Sequence, residues 1–295
     1  MNINFLKYRK IYYILSGVLA LVSLGALIIF GLKLGIDFKG GTILELEFAK
    51  RPENPVIQEK LTEFDLGKIT VQPAGKKDVI LRFKNIDEKT HQEVISSLNE
   101  ISTVEEIRFE NIGPIISKEM RSKTLILIFF SVLAMFVYMV IAFREIPPPI
   151  SGWQFGIVSI VTLFFDILIP LGLLAFLGKF YNVQFTIPIV TALLAILGYT
   201  MNDKVIVLDR TRENLLRTSK INFDELVNQS LNQVLSRSLS TGSCTLLVLL
   251  ALFLFGGETL KYFSLILFVG ILIGTYSSLF LASPILVTWL TRRWK

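Results

Sequence analysis

Histidine and cysteine are almost missing from this chain: its 295 residues hold one of each, His91 and Cys244. A single cysteine leaves no disulfide to close within the chain, and a site built on several His or Cys ligands lacks its donors. A Ser-His-Asp triad within the apolar stretches is excluded by the same shortage. No nucleophile, base and orienting group converge elsewhere, so an enzyme is not expected. Charge is scarce as well, at 18% against roughly 25% in soluble domains. His91 falls in a helix-like stretch and reads as a surface residue.

What the chain has instead is apolar length, since 52% of its residues are hydrophobic. About 20 apolar residues in a helix span the roughly 30 Å of a hydrocarbon core. Six runs reach that scale: Ile11–Leu32, Thr124–Phe143, Trp153–Leu177, Phe185–Leu208, Leu239–Phe255 and Tyr262–Leu290. The last is long for one crossing and is expected to tilt or to continue past the membrane surface. Ile11–Leu32 is too long for the apolar core of a cleavable signal, so none is expected. The chain reads as an α-helical polytopic membrane protein.

The net charge of +6 would suit nucleic acid, but its placement argues otherwise. Lys7, Arg9 and Lys10 precede the first run, and Arg292, Arg293 and Lys295 follow the last. Arg210, Arg212, Arg217, Lys220 and Arg237 surround the fourth-to-fifth connection. The opposite connections carry only Lys179, Glu258 and Lys261. The positive-inside rule then sets both termini (1–10 and 291–295) and the 210–236 loop in the cytoplasm, in accord with an even number of spans.

A polar segment, 35–121, separates the first span (11–32) from the five that fill 122–290. Thr42–Phe48 alternates as a strand should, Pro55–Phe64 reads as a helix, and Lys68–Gln72 and Asp78–Phe83 flank a turn at Gly75. Glu88–Ile101 is helical and Val104–Phe109 closes the order. Strand, helix, strand, strand, helix, strand is the split motif of a ferredoxin-like α+β domain. Further on, Pro147, Pro148 and Pro149 make a stiff connector. Asn222–Ser236 is amphipathic, opens with a capping-box pattern (Asn222, Glu225), and is expected as a short helix at the cytoplasmic surface or on a partner. Gly270, Gly274 and Ser278 recur every four residues in the last span, which marks a face for close helix packing.

Charges inside apolar runs are costly and point to ion or proton paths. Asp203 lies in the fourth run, with Tyr199 and Thr200 one turn earlier on its face. Arg237 precedes the fifth, followed by a stripe of Ser240, Thr241, Cys244 and Thr245. Two antiparallel spans joined on one side place Asp203 and Arg237 at similar depth, so a facing pair is easy to build. Desolvation favours the neutral form of an acid and a nearby guanidinium favours the charged form, so an approaching and withdrawing Arg would switch protonation. The plainer alternative is that both residues only end their helices at the interface. Asp166 sits nearer the middle of the third run, with Thr162 and Pro170 on its face. Spacing alone does not choose between the two acids.

Three motifs carry a resemblance to the SecF branch of the SecD/SecF family, which belongs with the RND-type proton-driven transporters. Gly35-Ile36-Asp37-Phe38-Lys39-Gly40-Gly41-Thr42 is similar to the signature after the first span. Gly198 to Asp203, with Asn202, and then Asp209-Arg210-Thr211-Arg212-Glu213-Asn214, is similar to the fourth-span signature. Ser236-Arg237-Ser238 resembles the start of the fifth span. The resemblance implies six spans of RND/SecF type with an extracytoplasmic domain between the first two. It implies an auxiliary subunit of the Sec translocase in the prokaryotic cytoplasmic membrane, partnered by SecD, the SecYEG core and translocating preproteins. Protons would be the coupling ion, with no other cofactor, and Asp203, Arg237 and Asp166 would match the conducting positions. Phe165 stands where the family usually has His, and Lys204 where it usually has Thr or Ser. Lys204 leaves the helix about 100° from Asp203 and need not face it. Asp37 and the Gly40-Gly41 pair also read simply as a tight exit from the membrane into the first strand. A small-molecule RND exporter and a non-conducting translocon scaffold remain as alternatives.

Overall fold

The computed structural model describes residues 3–75, 77–146, 151–217 and 222–291. The chain forms two compact units, one of Met1–Lys33 with Leu127–Lys295 and one of Leu34–Ile126. In chain order the elements are helices α1 (Arg9–Phe30) and α2 (Ile36–Lys39), strand β1 (Gly41–Phe48), helix α3 (Asn54–Leu61), and strands β2 (Thr70–Pro73) and β3 (Asp78–Phe83). Helix α4 (Glu88–Asn99) and strand β4 (Val104–Ile112) follow, then the long helices α5 (Pro114–Ala142), α6 (Gly152–Tyr181), α7 (Ile187–Arg217) and α8 (Phe223–Phe255). The last span is α9 (Glu258–Ser277), a π-helical turn at Ser278–Ala282, and α10 (Ser283–Thr291).

In the smaller unit the sheet order is β2-β3-β1-β4, antiparallel throughout. That order, with helices after β1 and β3, is the ferredoxin-like split motif. Alternation decides which side of β1 and β3 is covered: Leu44, Leu46, Phe48, Val79 and Leu81 form one core with Ile57 and Leu61 of α3 and Val94 and Leu98 of α4. At the start of β1 the chain turns through Gly40 and Gly41, both at positive φ. A Cβ on Gly41 would fall 2.8 Å from the Phe83 carbonyl oxygen, so only glycine lets the strand begin there.

His91 corrects the surface reading. Only 4% exposed, it stacks on Phe109 with ring centroids 3.7 Å apart, and its two nitrogens reach Glu88 at 3.2 Å and Glu106 at 2.9 Å. The ring ties α4 to β4, and two carboxylates satisfy the polar edge that burial would otherwise leave costly.

Among the described residues six helices are long and apolar enough to cross a membrane. They divide by burial. The apolar windows of α6, α7 and the last span are 50%, 56% and 61% buried, against 11%, 6% and 17% for the spans of α1, α5 and α8. Three helices therefore form the interior, and Asp166, Asp203 and Lys204 are buried among them.

Local signals explain how the helices begin. Ser151 caps α6, and the Gln154 side chain accepts the Ser151 N–H at 3.0 Å in a reciprocal box. Asn222 stands at the N-cap of α8 but makes no side-chain cap bond. The amphipathic stretch after it is not a separate surface helix either: it is the first half of α8, packed through Val227, Leu231 and Val234 against Phe5, Leu6 and Val207. The 210–236 segment is thus largely two helical extensions, of α7 and α8. The proposed proline connector falls on Pro147, Pro148 and Pro149, outside the described residues.

Candidate functional site

The site lies on α7, where Thr200, Asp203 and Lys204 are all buried, at 0%, 5% and 0% exposure. Close packing of the last span brings the polar partners in. A Cβ on Gly270 would lie 2.1 Å from Ile196 Cδ1, and one on Gly274 would lie 1.9 Å from Thr200 Cγ2. The small-residue face of α9 is therefore pressed on α7, as the four-residue spacing anticipates. One turn further the helix switches to the π turn at Ser278–Ala282. A π turn inserts an extra residue and re-aims the side chains around it. Here Ser278 Oγ donates to Asp203 Oδ2 at 3.2 Å. Ser238 of α8, itself buried, lies beside the same carboxyl.

Asp166 occupies the facing surface of α6 at 0% exposure. Lys204 Nζ donates to its Oδ2, and both side chains are fully buried. Thr200 and Ser277 stand beside this carboxyl. Helix geometry leaves Lys204 free not to face Asp203, and its side chain points to the other acid. A lysine within an apolar run calls for a counter-charge, a general signal that does not say which helix supplies it.

Arg237 is placed differently from the facing pair that spacing allowed. Its side chain is exposed. Among the described residues it makes no ion pair with Asp203. Ser240, Thr241 and Cys244 are exposed along the same helix, while Thr245 pairs with the Tyr199 hydroxyl at 3.2 Å.

The remaining signature residues serve the ends of helices. Asn202 and Asp209 are exposed, and Asp209 pairs loosely with Arg212 at 3.8 Å. Arg210 donates from Nε to Gln233 at 2.6 Å and also pairs with Glu213. Asn214 donates to Ser230 at 2.8 Å and to Gln233 at 2.9 Å. This stretch is a polar bracket between α7 and α8. In the smaller unit Gly35 caps the turn Ile36–Lys39, Phe38 N–H donates to the Gly35 carbonyl at 3.1 Å, and Phe38 is buried. Asp37 lies in the first turn of that short helix. None of Gly35, Asp37, Phe38, Gly40 or Gly41 belongs to the unit that carries the acids.

A buried acid with hydroxyl donors on one side of α7 and a closed ion pair on the other can hold or pass a proton, and known proteins resemble the chain from end to end. Residues 93–292 match the family described as protein export membrane protein SecD/SecF, C-terminal, and residues 25–50 match the SecD/SecF GG motif. The protein translocase subunit SecF of Rhodothermus marinus is 38% identical, with 97% of this chain and 92% of that protein covered. The SecF subunit of Thermobaculum terrenum is 34% identical over 97% of this chain and 94% of its own length. The crystal structure of SecDF, a translocon-associated membrane protein from Thermus thermophilus, superposes with a TM-score of 0.87 at 30% identity, covering 99% of this chain and 39% of that one. A second SecDF structure, in a super-membrane-facing form, gives 0.70 at 31% identity, with 99% and 39% covered. By matches that run through both of its units, the chain belongs to the SecD/SecF family of protein export membrane proteins, on its SecF side.

Proposed function

We propose that this chain is the SecF-type subunit of the Sec protein translocase, working with SecD and the SecYEG core to draw preproteins across the prokaryotic cytoplasmic membrane on the proton gradient. One observation carries the reading: a chain matched along its length to SecF subunits holds a buried acid, Asp203, at a π turn between membrane helices. Asp203 is the proton carrier and Arg237 its modulator. The gradient offers roughly 2.3 kcal/mol per charge for each 100 mV. The charge pattern supports cytoplasmic termini and a cytoplasmic 210–236 segment, with the ferredoxin-like unit on the other side.

SecD fits the exposed stripe on α8. Arg237, Ser240 and Cys244 are exposed polar or polarisable groups on a membrane helix that lipid does not satisfy. A second set of membrane helices would cover them, and the SecDF chain is longer than this one by enough to supply it. The test is purification of the tagged full chain in mild detergent, together with secretion in a deletion strain. Recovery of SecD and the translocon core with the tagged chain, and precursor accumulation in the deletion strain, are expected. Recovery alone with normal secretion and altered small-molecule efflux would replace this reading with an exporter.

A further inference from the structure

Among the described residues two buried acids, Asp166 and Asp203, occupy the inner helices, and α7 separates them. Lys204 and Asp203 are adjacent in sequence, so their side chains leave the helix about 100° apart. Lys204 reaches α6 and closes on Asp166; Asp203 turns to the π turn and α8, where it takes the Ser278 hydroxyl at 3.2 Å. We propose that Lys204 is a positioning residue that locks Asp166 into a closed, charge-neutral pair, leaving Asp203, of the two buried acids, free to exchange a proton. The inference deepens the proton-carrier reading of Asp203 and rests on it for its functional meaning. The lock itself is measurable without export.

The argument is one of proton inventory. A carboxylate beside an ammonium and a carboxylic acid beside an amine contain the same protons and the same net charge of zero. Adding a proton to the pair leaves an ammonium with no counter-ion; removing one leaves a bare carboxylate. Both side chains have 0% exposure, so either change creates an uncompensated buried charge, the arrangement that proteins tolerate least. Asp203 has no cation closed on it among the described residues, and its partner Ser278 and neighbour Ser238 are hydroxyls that can donate to a carboxylate or accept from a carboxylic acid.

Among the described residues the groups around the two acids are mostly hydroxyls. From α7 the neighbours are Thr200 and Asp203, and from α9 and the π turn they are the hydroxyls of Ser277 and Ser278. The charges acting on Asp203 are Lys204 and, from α8, Arg237; the charge acting on Asp166 is Lys204. The pair also keeps Lys204 occupied, so its ammonium does not swing to Asp203 and quench it.

Infrared titration of the full-length chain, reconstituted with its partner subunit in vesicles, reads buried carboxylic acids directly. Wild type is expected to show a buried acid band that grows as pH falls and disappears in Asp203→Asn. Lys204→Met is expected to add a second band, removed by Asp166→Leu in the same chain. If Lys204→Met alone does not fold, Lys204→Met with Asp166→Leu, which is neutral and apolar, is expected to fold and to show the Asp203 band alone. A titrating band that survives in Asp203→Asn and is lost on removing Asp166 would overturn the lock, as would a Lys204→Met chain that folds and gains no band. An Asp203→Asn chain that exports normally yet shows no titrating band would instead strike the carrier reading and leave the lock standing.

Discussion

Gly274 lies so close to Thr200 that a Cβ on the glycine would fall 1.9 Å from the threonine Cγ2. Thr200 is three and four residues before Asp203 and Lys204, so this contact sets how near α9 and its π turn come to Asp203 and to the Lys204–Asp166 pair. Gly274→Ala has no room unless the helices part, because the branched Thr200 side chain presents its Cβ at 2.7 Å as well. The expected cost is about 1–3 kcal/mol of stability, together with weaker export as Ser278 moves off Asp203. Gly198→Ala is the control: nothing lies within 4 Å of that position, and its stability should stay within about 1 kcal/mol of wild type. Thermal unfolding in detergent compares the two, and equal tolerance would contradict the packing argument.

In the ferredoxin-like unit, His91 is predicted to matter more than its place on a polar helix suggests. His91→Ala removes the stack on Phe109 and leaves Glu106 without its partner. Glu106 is exposed and rehydrates, so the loss comes from the ring: about 0.5–1.5 kcal/mol for the stack, with the cavity left behind adding to it. Lys89→Ala, which removes an exposed pair with Glu93, is expected to cost less than about 1 kcal/mol. Urea unfolding followed by a probe in this unit ranks them; a smaller effect at His91 than at Lys89 would be against the account.

Acid should loosen the start of α4. The Thr90 hydroxyl and the Thr90 N–H both donate to Asp87 and hold its carboxyl below the usual carboxylate range. A lowered folded-state value means that the charged form is favoured by folding. Its contribution is therefore complete above the unfolded-state value and disappears as pH falls through the lower folded one. Hydrogen exchange of the first α4 amides against pH measures this, and Asp87→Asn should flatten the profile. An Asp87 carboxyl that titrates at or above its ordinary range by NMR would refute it.

Much of this was legible before any coordinates. Apolar length exposes the six spans, and period-two alternation in Thr42–Phe48 and Asp78–Phe83 marks the central strands of the sheet. The reading fails where a partner sits far along the chain. Lys204 and Asp166 are 38 residues apart, and nothing local at Lys204 reveals which helix it meets. His91 is a different kind of miss, since Val94 and Leu98 three and seven residues on share its face and are fully buried; helical spacing carried the signal and residue type overrode it. The π turn leaves no trace in hydropathy, because it re-aims side chains without changing their character. For Asp203 and Arg237, spacing allows a facing pair but does not decide contact: the guanidinium is exposed, and serine hydroxyls stand at the carboxyl instead.

Export by inverted membrane vesicles, with the proton gradient imposed and then collapsed, reaches the heart of the account. Wild-type vesicles should export faster with the gradient than without it. Vesicles holding Asp203→Asn at the same abundance and stability should export at the collapsed-gradient rate under both conditions. Full gradient stimulation in the Asp203→Asn vesicles would show that protons drive export by another route, or that this subunit carries none.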